Sequence, residues 1–369
     1  MLAPWKKSKP SRLSSKRGVG YSDGIFFAVL VFTGWAFLDA FADMQSARNK
    51  KRPAVTLTLE ERIEQIPLAV RIYFKPLPDK MPGSENDTPE LIALGRKLYF
   101  EKIISLTRTQ SCNDCHRLDN MMSGVDYKPT STGAKGIAGS RNAPTVLNAG
   151  FQRMQFWDGR ASDLVEQAKD TLLNPIEMAM PDENEVVCRL KNTRDYPRLF
   201  KRAFPNQQEP VTFDNTVRAI TAFERTLITP SRFDRYLKGD TDAITMEEKM
   251  GLMRFMDTGC IECHSSFMVG GRLFKKLGRY HSYGNQSDTG RYAITHNEED
   301  RFVFKVPTLR NVTLTLPYFY DGQVSTLPEA IRLMAWLQLD TKLSFSEIDE
   351  IVLFLNTLDS ERPDKLPTR

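Results

Sequence analysis

Two five-residue segments carry the chemistry of this chain: Cys112-Asn-Asp-Cys115-His116 and Cys260-Ile-Glu-Cys263-His264. Two thiols separated by two residues can add to the two vinyl groups on one edge of a haem, and the histidine that follows reaches the iron as its proximal ligand. Each motif therefore predicts one covalently bound haem c. Structural zinc would need four Cys or His ligands per site. Only His281 and His296 stand outside the motifs, too few to complete both. Cys188 is left without a partner and is expected as a small buried apolar group. What a haem does depends on its sixth position: a filled one favours electron transfer, an open one admits a ligand. No histidine occurs between His116 and His264, so the first iron has no local imidazole to close it. After His264, Met334 lies on an amphipathic segment, Leu327–Leu339, as either an iron ligand or plain core.

The elements that must position these motifs repeat. A helix is predicted from Thr88-Pro89-Glu90, where Thr88 caps, Pro89 suits the first turn and Leu91, Leu94 and Leu98 recur at helical spacing. A second starts at the capping box Thr245-x-x-Glu248, with Met250, Met253 and Phe255 on its apolar side. Each leads into a CxxCH motif. Further on, APTVLNAGFQRMQFWDGRASDLVEQA (143–168) aligns without gaps to VPTLRNVTLTLPYFYDGQVSTLPEAI (306–331) at an offset of 163, whereas the two motifs are offset by 148. The second copy therefore carries fifteen extra residues, in the polar stretch Tyr280–Arg301. An internal duplication follows: a mostly α chain of two tandem cytochrome c-like haem domains with long loops, 89–230 and 231–369. Residues 43–88 are expected to form a helix (Leu59–Lys75) and a Pro-rich linker.

A chain of 369 residues with 41% hydrophobic content can build two such cores. The net charge of +5 is concentrated in residues 1–42, which hold six basic against two acidic side chains. The rest is close to neutral, which gives nucleic-acid binding no support. After the basic stretch comes an uncharged apolar run, Ile25–Leu38, and then Ala40-Phe41-Ala42, a small-x-small site. This reads as a cleaved signal peptide or, if retained, an inner-membrane anchor, and either places the remainder in the periplasm.

From about Pro89 onward the chain resembles the bacterial dihaem cytochrome c peroxidase family, which includes the MauG-type enzymes. The resemblance rests on LGRKLYFEK, SCNDCH, RNAPTVLNAGFQRMQFWDGRASDLVEQAK, NPIEM, TFDNTVRAITAFERTLITPSRFDRYLKGD, GCIECH and VPTLRNVTLTLPYF followed by DG. It implies a low-potential peroxidatic haem on His116 and a high-potential electron-transfer haem on His264 with Met334 as its second ligand. Trp157 corresponds to a tryptophan that relays electrons between the haems, and Gln167 and Glu177 to polar residues over the peroxidatic iron. Asn142, with the backbone carbonyls of Thr315 and Pro317, corresponds to a calcium site, and hard oxygen ligands suit that ion.

The implied reaction is H2O2 + 2 e⁻ + 2 H⁺ → 2 H2O. In it Glu177 moves a proton from one peroxide oxygen to the other, Gln167 orients the peroxide, and a small cytochrome c or blue-copper protein supplies electrons. A homodimer is compatible with this reading. Two departures stand out. Where the family carries a histidine that caps the peroxidatic iron, this sequence reads Ser131-Thr132-Gly133-Ala134-Lys135-Gly136. Alanine cannot bind iron, so that iron is expected to be open in the oxidised enzyme. Tyr320 also replaces a common histidine near the second haem. The competing readings are a MauG-type oxidase acting on residues of a partner protein and a dihaem electron carrier.

Overall fold

Two close helix crossings organise the chain, seen in a computed structural model that describes residues 70–118 and 123–361. Their α-helices run in the order α1 (Pro89–Tyr99), α2 (Cys112–Cys115), α3 (Leu164–Leu173), α4 (Glu183–Lys191), α5 (Tyr196–Ala203) and α6 (Phe213–Glu224). There follow α7 (Arg232–Leu237), α8 (Met246–Asp257), α9 (Tyr292–Thr295), α10 (Leu327–Leu339) and α11 (Phe345–Asn356). One antiparallel pair, β1 (Phe274–Lys276) with β2 (Val303–Lys305), is the only named sheet among the described residues. The mostly α expectation holds.

Thr88 caps α1 by accepting the Leu91 N–H at 3.2 Å, and Leu91, Leu94 and Leu98 bury one face of α1 against α6. The crossing point is Gly95, where a Cβ would stand 1.7 Å from the Ala219 carbonyl oxygen. The predicted capping box on α8 is present, Glu248 accepting the Thr245 N–H at 2.8 Å. Helix α8 crosses α11 at Gly251, whose Cβ would lie 2.0 Å from the Glu350 carbonyl oxygen. Each crossing thus depends on a missing side chain.

The repeat is visible in the backbone. Asn148 and Asn311 are both left-handed, at φ 59° and 60°, as are Phe156 and Phe319 at 65° and 68°. Each asparagine opens a 3-10 turn (Ala149–Phe151, Val312–Leu314). Both also donate Nδ2 to one hydroxyl, Thr229 Oγ1, at 2.6 and 2.9 Å, which ties the two copies together.

The segment before α1 serves the second half of the chain. Val70 and Phe74 pack with Phe233 and Phe354, and the Leu77 N–H donates to Asp234 Oδ1 at 2.7 Å. Asp234 is buried with Arg310 at 2.7 Å. Burial alone would raise that carboxyl, but the guanidinium hydrogen bonds outweigh it and hold Asp234 below the usual carboxylate range. The targeting segment (1–42), all but the last turn of the Leu59–Lys75 helix, and residues 362–369 lie outside the described residues. Among those described, no helix is long and apolar enough to cross a membrane.

Candidate active site

In the first motif, Ser111 and Asp114 form a capping box (Ser111 N–H to Asp114 Oδ2, 2.7 Å) that starts the single turn α2. That turn presents Cys112 and Cys115 together and places His116 at its end, its N–H on the Cys112 carbonyl at 2.9 Å. His116 Nδ1 sits 2.9 Å from the Pro144 carbonyl, so it donates there. Burial lowers the His116 pKa, which keeps the imidazole neutral and able to bind a metal. The second motif forms a 3-10 turn after Gly259, in the left-handed region at φ 95°. His264 is half-buried, and the desolvation pushes it down to about 4, while the same effect pushes the Cys260 thiol up to about 12.

These sites fit haem. All four motif thiols are free. Cys260, Cys263, His264 and Met334 face one cleft whose unfilled space, mouth included, is about 1770 Å³. That arrangement supplies two thiols for vinyl groups, and an imidazole and a thioether for one iron. Trp157, Asn142, Thr315 and Pro317 line the same cleft, so the sequence-derived relay residue and calcium ligands come together there. Asn142 Nδ2 donates to the Lys128 and Pro129 carbonyls at 3.0 and 3.3 Å, which turns Oδ1 the other way.

Near the first motif, α3 is capped by Asp163 and holds Gln167 and Thr171 one turn apart. Gln167 Nε2 donates to Thr171 Oγ1 at 2.8 Å, and the Thr171 hydroxyl is itself hydrogen-bonded to the Glu177 carboxyl. Asn174, the C-cap of α3, donates Nδ2 to Glu177 Oε1 at 2.8 Å. Gln167 and Glu177 are thus joined through Thr171. Burial raises the Glu177 pKa, opposed by these hydrogen bonds and by the Arg160 charge. Thr171 and Asn174 are the members that sequence reasoning missed; their signal is spacing, i+4 from Gln167 and i−3 from Glu177.

The loop that carries Ala134 docks on the same carboxylate segment. The Ala134 N–H donates to the Glu177 carbonyl at 2.7 Å, and a Cβ on Gly133 would stand 2.1 Å from the Ile176 carbonyl oxygen. The two spare histidines are committed elsewhere. His281 Nε2 pairs with Asp340 at 2.6 Å and stacks on Trp336 at 3.4 Å, and His296 lies edge-on to Tyr292.

Three other residues were not singled out from sequence. Glu224 is buried beside Cys112, has one carboxyl oxygen without a partner, and is pushed up to about 8 by burial. Lys305, in the second cleft, is pushed down to about 7 by burial and donates to Gln152 Oε1. Arg141 bridges Asp158 and Asp288, each at 2.6 Å. One expectation is corrected. Cys188 is exposed, not buried: Val186 and Leu190 hold the inner face of α4, and a residue midway between them points outward.

The arrangement joins a half-buried carboxylate, Glu177, to Gln167 through Thr171, and gathers Cys260, Cys263, His264, Met334 and Trp157 around one cleft. A family model described as di-haem cytochrome c peroxidase matches residues 89–242. The cytochrome c551 peroxidase of Pseudomonas aeruginosa is 41% identical over 301 residues, covering 79% of this chain and 85% of that protein. The cytochrome c551 peroxidase of Nitrosomonas europaea is 43% identical over 288 residues, covering 76% and 84%. Among solved structures, a MauG-like protein associated with microbial copper homeostasis superposes with a TM-score of 0.69 at 28% identity, over 79% of this chain and 95% of that one. With relatives this similar along most of their length, the chain belongs to the di-haem cytochrome c peroxidase and MauG family of haem enzymes.

Proposed function

We propose that this protein is an exported peroxidase that reduces hydrogen peroxide to water with electrons from a small cytochrome c or blue-copper protein. In this reading Cys112, Cys115 and His116 hold one covalent haem in a domain spanning 89–230. Cys260, Cys263, His264 and Met334 hold the other in a domain spanning 231–369. Haem supplies an iron that binds peroxide and a store of electrons. The observation that carries the reading is the inequality of the two sites. Met334 shares the His264 cleft, whereas of the two histidines outside the motifs His281 is paired with Asp340 and His296 lies exposed beside Tyr292.

The chain's own groups then divide the work. Glu177, raised by burial, accepts the proton of one peroxide oxygen and returns it to the other, so water can leave as the O–O bond breaks. Asn174 and Thr171 fix that carboxyl, and Gln167 orients peroxide from the next turn of α3. Trp157 spans from the first half of the chain into the second cleft, as a relay must. Asn142 Oδ1 with the Thr315 and Pro317 carbonyls offers calcium an oxygen set beside it. An exported chain follows from the apolar run at Ile25–Leu38.

The test is the spectrum of the as-isolated ferric protein followed by peroxide turnover with and without half-reduction. A high-spin haem and immediate turnover are expected. Two low-spin haems with no turnover until reduction would overturn the open-site reading. Oxidation of residues on a partner protein in place of donor-driven turnover would favour the MauG-type alternative.

A further inference from the structure

Tyr320, the departure that sequence left without a meaning, closes a ring of contacts around Trp157. The Trp157 indole N–H donates to the Asn142 carbonyl at 2.9 Å, and the Asn142 N–H donates to the Tyr320 carbonyl at 2.6 Å. The Tyr320 ring stacks on Phe304 with centroids 4.5 Å apart and planes 9° from parallel. The residue after Phe304 completes the circuit, the Lys305 N–H donating to the Trp157 carbonyl at 2.7 Å. Trp157 is thereby held at its indole and at its backbone by two chains of contact that meet at Tyr320, one at its backbone carbonyl and one through its ring on Phe304.

The fifteen-residue excess of the second repeat anchors that stack from outside. The Tyr320 hydroxyl donates to the Asn285 carbonyl at 2.8 Å. Asp288, three residues on, receives Nε and Nη2 of Arg141 at 2.6 and 2.9 Å. Arg141 precedes Asn142, and its Nη1 reaches Asp158, the neighbour of Trp157, at 2.6 Å. Arg291 of the same stretch donates to the Asp158 carbonyl at 3.0 Å. The Asn285 carbonyl thus accepts from Tyr320, while the Asp288 carboxylate through Arg141 and the Arg291 guanidinium converge on Asp158, the neighbour of the indole. Electron transfer between fixed centres depends on how the intervening group is held, and preorganised contacts remove the need to reorganise it at each turnover.

We propose that Tyr320 is a positioning residue for Trp157, and that the strap Tyr280–Arg301 fixes the relay through Tyr320 and through the Arg141–Asp288 pair. The proposal rests on the reading of Trp157 as the inter-haem relay. Tyr320 touches neither peroxide nor donor; it acts through Asn142 and Phe304.

The haem-loaded, half-reduced enzyme is mixed with peroxide, and reoxidation of the second haem is followed by stopped flow in wild type, Trp157→Phe, Tyr320→Leu, Tyr320→Phe and Asp288→Asn. Tyr320→Leu is expected to slow that step at least tenfold, and Asp288→Asn severalfold, with both haem potentials and the KM for peroxide unchanged. Tyr320→Phe keeps the stack but loses the hydroxyl that ties it to Asn285, and is expected to slow the step severalfold, less than Tyr320→Leu. Ultraviolet resonance Raman, with Trp157 isolated by difference against Trp157→Phe, should show a weakened indole N–H hydrogen bond in Tyr320→Leu. If Trp157→Phe does not slow the step, the relay reading itself fails. If it does, while Tyr320→Leu and Asp288→Asn run at the wild-type rate with an unchanged Raman band, the positioning role is overturned and the relay stands. Should Tyr320→Leu not fold, the rate and Raman band of Asp288→Asn decide.

Discussion

Replacing Gly95 by alanine should destabilise the protein more than any exposed glycine replacement, although alanine is the better helix former. The new Cβ would stand 1.7 Å from the Ala219 carbonyl oxygen and 3.0 Å from the Phe223 Cβ. Non-bonded contacts of carbon settle at about 3.5 Å or more, so α1 and α6 must part by roughly 1.8 Å at the crossing. A gap of that size forfeits much of the contact between Leu91, Leu94 and Leu98 and the α6 face, and overpacking of this kind costs about 1–3 kcal/mol or more. Alanine's helix preference returns about 1 kcal/mol. A net loss of about 1–2 kcal/mol, or roughly 1–3 °C in Tm for a protein of this size, is expected. The assay is denaturant and thermal unfolding of the haem-loaded protein. Gly284→Ala is the control, because nothing lies within 4 Å of its Cβ. Gly251→Ala, facing the Glu350 carbonyl oxygen at 2.0 Å, should behave like Gly95→Ala. A Gly95→Ala protein as stable as the Gly284→Ala control would refute the crossing argument.

Glu177→Gln should lower kcat for peroxide by about 10²- to 10⁴-fold, the usual worth of a general base, with stopped-flow peroxide binding little changed. Because burial raises this carboxyl and only its ionised form accepts a proton, the acid limb of wild-type kcat should lie at higher pH than for an exposed glutamate, and the variant should lose it. Ala134→His places an imidazole in the loop docked on Glu177; oxidised enzyme should lose at least about tenfold in turnover until half-reduced, and unchanged turnover would count against the open-site account. Asp359 is pushed up to about 6 by burial and has one oxygen without a partner. Its folded value lies above its unfolded one, so the stability it contributes is full below pH about 4 and lost as pH climbs through about 6. Asp359→Asn should therefore raise stability at pH 7 by about 1–2 kcal/mol and little at pH 4, by denaturant titration at both.

Much of this could be read in advance because it is local. The Thr88 cap, the Thr245 capping box and the bounds of Leu327–Leu339 follow from signals within a few residues, and each forms as expected. The pairing of the two blocks was legible as a constant offset, and the twin asparagines and phenylalanines adopt the same left-handed backbone in both. Contacts across long separations were not legible. Arg141 and Asp288 are 147 residues apart, and neither type nor spacing says that they meet. Thr171 and Asn174 were not singled out, because nothing in their types says that both reach the Glu177 carboxyl. Cys188 was misjudged because its residue type was weighed and its helix face was not.

The placement of Val70 and Phe74 has a consequence for how such a chain can be cut, copied or made. The stretch that precedes the first repeat completes the core of the second, reaching Phe233 and Phe354 and donating from Leu77 to Asp234 across 157 residues. The two halves are therefore interlocked rather than strung in series. A gene fragment starting at residue 231 would encode the second CxxCH motif and Met334 but not the aromatic wedge that seals this interior, and it should be recovered as a loosely packed, protease-sensitive species. Adding a peptide spanning residues 70–81 in trans should restore protection. During synthesis the wedge emerges early and waits for most of the chain before its partners exist, so one exposed apolar face must be carried until the last helix, Phe345–Asn356, arrives.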